Sequence, residues 1–267
     1  MTTHDASLRP FARNAEVRRF DRRSFTALVL TGAAGAAAIV PYQLAAAPEA
    51  VAASGITPAA LAMATIASGT LVAAVAAFVG LLLGPRIGLG APLIADLVRG
   101  KVDRLAWRRV LTLAVPVGAG AAVLVVALDV ALAPFLPHTA AGGSVPLAVR
   151  YLGSLYGAVN EELMLRLGLL TAIAWALARG TRSRGTLARS LLWAATLVAA
   201  VGFGAAHLPA VAATVPLDGV VIARTIGLNA LLGTVFGWLY WSRGLGAAIA
   251  AHLVADLVIQ TAAWAMS

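Results

Sequence analysis

Six ionisable residues sit inside long apolar runs of this chain: Glu161, Glu162, Arg166, His207, His252 and Asp256. A charge in hydrocarbon costs from about 3 to more than 10 kcal/mol, so such residues line a protein interior or a wet cavity and mark function. Their spacing is regular: Glu161-Glu162-x-x-x-Arg166, Phe203-x-x-x-His207 and His252-x-x-x-Asp256. Residues four apart share a helix face, so Glu162 can pair with Arg166. Glu161 then points about 100° away and is left as a desolvated carboxylate, a candidate general base. Phe203 and His207 lie one turn apart, separated by small residues that allow close approach of a neighbour or a substrate. A carboxylate one turn from an imidazole can accept its proton and fix its tautomer, which is the role read here for Asp256 beside His252. Each group also has a purely structural reading: an ion pair that fixes packing, a satisfied core histidine, or a His–Asp pair that locks the last helix. Taken together they suit a hydrolytic site better than a transport path.

The elements that must carry these residues follow from composition. The chain has 267 residues, of which 61% are hydrophobic and 12% charged. Soluble domains carry about 25% charged residues, so the expected fold is all-α: a polytopic bundle with a single transmembrane domain over 25–267 behind a basic tail, 1–24. Seven apolar runs are long enough to span, at about 25–48, 57–84, 110–133, 147–178, 190–208, 219–241 and 245–266. Alanine and glycine within them permit close helix packing. Seventeen of the twenty basic residues fall in the tail, in 85–109, in the segment around 179–189 and at Arg243. These are alternate connections, which predicts a cytoplasmic N-terminus and an outer C-terminus in a cell membrane. The clustering also argues against nucleic acid as the partner of the net charge of +9. The mixed stretch Ala91–Arg109 suits a helix at the cytoplasmic interface with its apolar face in the headgroups. At 1.5 Å per residue, Glu161 and His207 each lie about 27 Å from the cytoplasmic ends of their helices, but His252 only about 13 Å. The chain has no cysteine, which excludes disulfides and thiolate chemistry.

At these motifs the chain resembles the CPBP family of intramembrane proteases, which includes the type II CAAX prenyl endopeptidases and the bacterial Abi proteins. The order Glu-Glu-x-x-x-Arg, Phe-x-x-x-His, His-x-x-x-Asn/Asp is matched by Glu161-Glu162…Arg166, Phe203…His207 and His252…Asp256 over about 145–260. The resemblance implies a glutamate-type endopeptidase that opens to the cytoplasmic side and acts on a membrane-associated peptide or protein within the lipid bilayer. Carried over by position, Glu161 with His207 activates water, His252 and residue 256 support the oxyanion, and Glu162 and Arg166 are structural. The prenyl endopeptidases have Asn where this chain has Asp256, and an ionised carboxylate cannot donate to an oxyanion. Asp256 must therefore be protonated or act through His252, and a prenylated substrate does not follow. No cofactor is expected. The alternative is zinc on Glu161, His207 and His252, a valid set of donor types, although no His-Glu-x-x-His helix is present.

Lesser candidates are Asp129, read as an interfacial carboxylate; Arg224, read as snorkelling outward; Asn229, read as reaching the site or joining helices; and His138 and Arg150, read as solvated. Two other functions remain compatible with the same residues. One is a proton-coupled transporter, against which stands the absence of a visible inverted repeat. The other is a non-catalytic scaffold or bacteriocin self-immunity protein that keeps an inherited site.

Overall fold

The computed structural model describes residues 20–137, 145–180 and 188–266. Most of the basic tail, His138, and Arg182 and Arg184 lie outside the described residues. Within them every regular element is helical. Seven helices are long and apolar enough to cross a membrane: α1 Arg22–Ala46, α2 Pro58–Ile87, α3 Arg104–Phe135, α4 Leu147–Gly180, α5 Arg189–Ala212, α6 Gly219–Arg243 and α7 Leu245–Met266. The chain is a multi-pass membrane protein, and the sequence boundaries agree to within a few residues except at α3, which starts earlier than the apolar run.

Side-chain caps set several of these starts. Asp21 accepts from the backbone amides of Arg23 and Ser24 at α1. Thr57, with Pro58 at the first turn, opens α2. Asp103 accepts from Ala106 at α3, and Asp218 from Val221 at α6. Each satisfies an orphan amide where the helix leaves the membrane surface. The early start of α3 follows from its cap: Asp103 lets the basic residues Arg104, Arg108 and Arg109 form the first turns of the span.

Two features position the site. First, α3 and α7 touch without intervening side chains, because a Cβ at Gly118 would collide with the Ala251 backbone. That contact fixes the turn of α7 that carries His252. Second, the end of the bundle that carries the basic connections is filled from within. The 3₁₀ turn Gly84–Ile87 and the short helix Pro92–Val98 bury Ile87, Leu89, Ala91 and Leu93. The sequence predicted one interfacial helix over Ala91–Arg109; the structure has a short helix, Pro92–Val98, with Arg104 onward in α3, and the apolar residues Ala91 and Leu93 pack on protein. The reason lies in the sharp turn between α6 and α7. Gly244 adopts φ 90°, a left-handed value that favours glycine. Leu245 is then fully buried and its amide donates to Gly90 O at 3.4 Å. Trp107 packs against Gly246, its ring 2.9 Å from where a Cβ would stand. Arg99, just after Pro92–Val98, forms an ion pair with Asp21 at the foot of α1.

Candidate active site

The glutamate pair sits where α4 stops being an α-helix. Gly157–Glu161 and Leu163–Leu170 are π-helical. Such i→i+5 stretches widen a helix locally and recur at functional sites. Apolar periodicity gave no sign of this. Asn160 holds the widened turn against α1, donating to Gly32 O at 2.9 Å.

Glu162 and Arg166 pair as the spacing predicts, Nη1 to Oε1 at 3.2 Å, with both side chains almost wholly buried. Arg166 also donates to Gly233 O at 3.1 Å, and its guanidinium lies 5.6 Å from the Phe236 ring centre and 5.8 Å from that of Phe203. These contacts spread a buried charge over an acid, a carbonyl and two ring faces.

The partner of His252 differs from the sequence expectation. Its Nδ1 lies 2.8 Å from Glu162 Oε1, whereas Asp256 Oδ1 stands 3.6 Å from Nε2. Glu162, not Asp256, therefore fixes the ring. A carboxylate paired with arginine can only accept, so Nδ1 carries the proton and Nε2 is the nitrogen turned to the site. The reason is geometric: Asp256, one turn further along α7, reaches the Nε2 edge of the ring and not Nδ1. The imidazole plane is held by stacking on Phe236, ring centres 4.7 Å apart and 22° between planes. Glu161 Oε2 stands 3.8 Å from Nε2, on the same side as Asp256. Gly157 makes room for this meeting, since a Cβ there would lie 2.7 Å from Asp256 Oδ2 and 3.4 Å from His252 Nε2.

His207 ends the regular part of α5, before the final turn Leu208–Ala212. Its Nδ1 lies 2.9 Å from Phe203 O. A carbonyl only accepts, so in the neutral ring Nε2 is the free base. Phe203 meets the imidazole edge-on at 4.5 Å. Thus the Phe-x-x-x-His spacing supplies both a ring contact and a tautomer lock.

A cavity of about 310 Å³ joins these groups. Glu161, Phe203, His207, Asn229, His252 and Asp256 all line it, with Phe236. So do Asp129 and Arg224, 2.6 Å apart as an ion pair between α3 and α6. This corrects two readings: Arg224 does not snorkel outward, and Asp129 is a cavity residue. Asn229 turns its amide to Thr225 O on its own helix at 2.8 Å, so it lines the cavity without bridging helices. Arg150, read as solvated, is half-buried and donates to Val145 O and to Gln260. The depths that disagreed along the sequence do not keep these side chains apart, since His252 meets both Glu161 and Glu162.

The zinc alternative asks Glu161, His207 and His252 to converge on one point. Among the described residues no group of three His, Asp or Glu side chains does so closely enough to hold a metal ion.

Residues 143–258 match the family model for the type II CAAX prenyl endopeptidase Rce1-like proteins. No curated protein and no solved structure matches the chain.

Proposed function

From a segment, residues 143–258, that matches a family of CAAX-type intramembrane proteases, we propose that the chain is an endopeptidase whose water is activated by Glu161 with His207. The observation that carries this reading is the fixed His252: Nδ1–H held by Glu162 at 2.8 Å, and Nε2 facing Glu161 across the cavity. A packing network has no need of an imidazole with one nitrogen turned to a wet space between two carboxylates.

The chemistry balances on these groups. Glu161 or His207 Nε2 takes a proton from water as its oxygen attacks the peptide carbonyl. The carbonyl oxygen becomes an oxyanion, and His252, carrying a second proton on Nε2 beside the one on Nδ1, hydrogen-bonds to it and keeps that proton through the cycle. The proton held by the base passes to the departing amine as the C–N bond breaks. Asp256, unable to donate when ionised, acts through His252 by placing negative charge 3.6 Å from Nε2. Glu162 and Arg166 are positioning residues. The reading needs no metal. The substrate is a membrane-associated peptide or protein; nucleic acid has no part in it. The membrane is the cell membrane, with the N-terminus cytoplasmic and the C-terminus outside, and the clustered basic connections support this.

The test compares N-terminal peptide profiles of membranes from cells carrying the wild type and Glu161→Gln, each with and without a membrane-permeant chelator. New N-termini that vanish in the variant and survive chelation are expected. If no N-terminus depends on Glu161 at equal protein abundance, the transporter and scaffold readings take over. Loss of cleavage on chelation would sink the metal-free mechanism alone.

A further inference from the structure

Which face of the membrane does the cavity serve? Its lining is confined to one end of the bundle. No lining residue lies on the basic-connection side of Val125 on α3, Phe203 on α5, Phe236 on α6 or His252 on α7. At the opposite end the lining reaches Asp129, Val211 and Arg224, close to the ends of α3, α5 and α6 that lead into connections without basic residues.

Exposure grades in the same direction. The side chain of His252 is 5% exposed, those of Glu161 and Asp256 20% and 22%, and those of Arg224 and Asp129 31% and 37%. The charged lining thus opens outward from the imidazole to the Asp129–Arg224 pair. Among the described residues the other end is filled. Ile87, Leu89, Ala91 and Leu93 fill it, and Gly90 and Trp107 cover the start of α7. Basic connections stay cytoplasmic, so the filled end faces the cytoplasm.

We propose that the cavity opens to the extracytoplasmic face, with Asp129 and Arg224 at its rim, and that the substrate is the outward-facing part of an exported or membrane-anchored polypeptide. This departs from the cytoplasmic opening that the family resemblance implies. The choice of substrate rests on the protease reading; the direction of opening does not.

The chain's lack of cysteine makes the test direct. Single cysteines are placed in the full chain as Val211→Cys in the cavity wall, Thr214→Cys just beyond it and Lys101→Cys beside the filled end. Each is exposed to a membrane-impermeant maleimide in intact cells with a permeable or removed outer envelope, and in inverted vesicles. Labelling of Val211→Cys and Thr214→Cys in cells and its loss in inverted vesicles, with the reverse for Lys101→Cys, is expected. The opposite pattern overturns the proposal. So does a Val211→Cys that stays unlabelled from outside while Thr214→Cys reacts, because the cavity would then have no outer mouth. Should Val211→Cys fail to accumulate, the conservative Val211→Ala in Thr214→Cys gives the folding control, and Leu228→Cys replaces it as the cavity probe. Labelling reads the opening without any cleavage, so a failed protease reading leaves this result standing.

Discussion

Removing one charge from the Glu162–Arg166 pair should cost far more than removing both. The groups stand 3.2 Å apart with side chains 0% and 3% exposed. At an effective dielectric of 20, dividing 332 by 20 and by that distance gives about 5 kcal/mol of attraction. Breaking a buried pair from one side typically costs about 3–5 kcal/mol, because the survivor is left uncompensated. Glu162→Gln is nearly isosteric, and its amide oxygen can still accept from His252 Nδ1–H, so its damage is mostly the stranded guanidinium. The carbonyl of Gly233 and the rings of Phe203 and Phe236 soften that damage, which puts the expected loss near the lower end, about 3 kcal/mol. Arg166→Met strands the carboxylate with only the imidazole as partner. The double variant strands neither, and it should recover at least about 2 kcal/mol relative to the sum of the singles. Reversible denaturant unfolding in mixed micelles measures all three. Additivity to within about 0.5 kcal/mol would refute the pair as an energetic unit. Activity should remain low in the double variant even though stability returns, since the negative charge that Glu162 places beside His252 Nδ1 is still missing.

Other outcomes follow from the same geometry. Gly157→Ala puts a methyl 2.7 Å from Asp256 Oδ2; turnover should fall about a hundredfold, as ångström-scale misplacement does, while stability changes by less than about 1 kcal/mol, and equal loss of both would contradict a steric effect confined to the site. Asp256→Asn removes the negative charge beside His252 Nε2 and should lose activity about as heavily as Asp256→Leu; turnover numbers on a substrate found by N-terminal profiling compare the two, and an Asn variant that stays within about tenfold of wild type would mean that hydrogen bonding rather than charge is required. Asp21 is pushed up by burial, but hydrogen bonds from Ser24 and the Arg99 charge outweigh this and hold its carboxyl below the usual 3.8. A lowered value means stability present above 3.8 and lost as pH falls through the folded-state value. Asp21→Asn should therefore cost about 1 kcal/mol or less near neutrality and nothing in strong acid; a cost that persists in acid would point to the cap hydrogen bonds alone.

The spans were legible because a membrane dictates run length, and the basic clusters mark every second connection. The site residues were legible for a related reason: ionisable groups such as Glu161 and His252 are too costly in hydrocarbon to be incidental. What stayed hidden depends on pairing across the chain. Spacing along α7 offers Asp256 as the partner of His252, and nothing local reveals that Glu162, 90 residues away, reaches Nδ1 first. Asp129 and Arg224 likewise look like separate interfacial charges until α3 and α6 are packed together. Apolar residues such as Leu89 and Leu93 read the same whether they face lipid or protein, so the filled end of the bundle was invisible. The widened turns of α4 leave hydropathy unchanged, since an i→i+5 ladder uses the same residues as an i→i+4 ladder.

Those widened turns make α4 a helix with adjustable phase. One residue deleted between Gly157 and Leu170 could be absorbed by relaxing a wide turn to an ordinary one, with the span intact and still long enough for the membrane. The segments on either side would then keep their relative orientation, and only the residues of the relaxed turn would change place. A deletion that no wide turn takes up would instead rotate one half of α4 against the other by about 100°, and Asn160 would leave Gly32 or Arg166 would leave Gly233. The helix type of this segment thus sets where Glu161 looks, and a protein whose phase slipped here would insert and fold as a membrane bundle while its carboxylates faced the wrong neighbours.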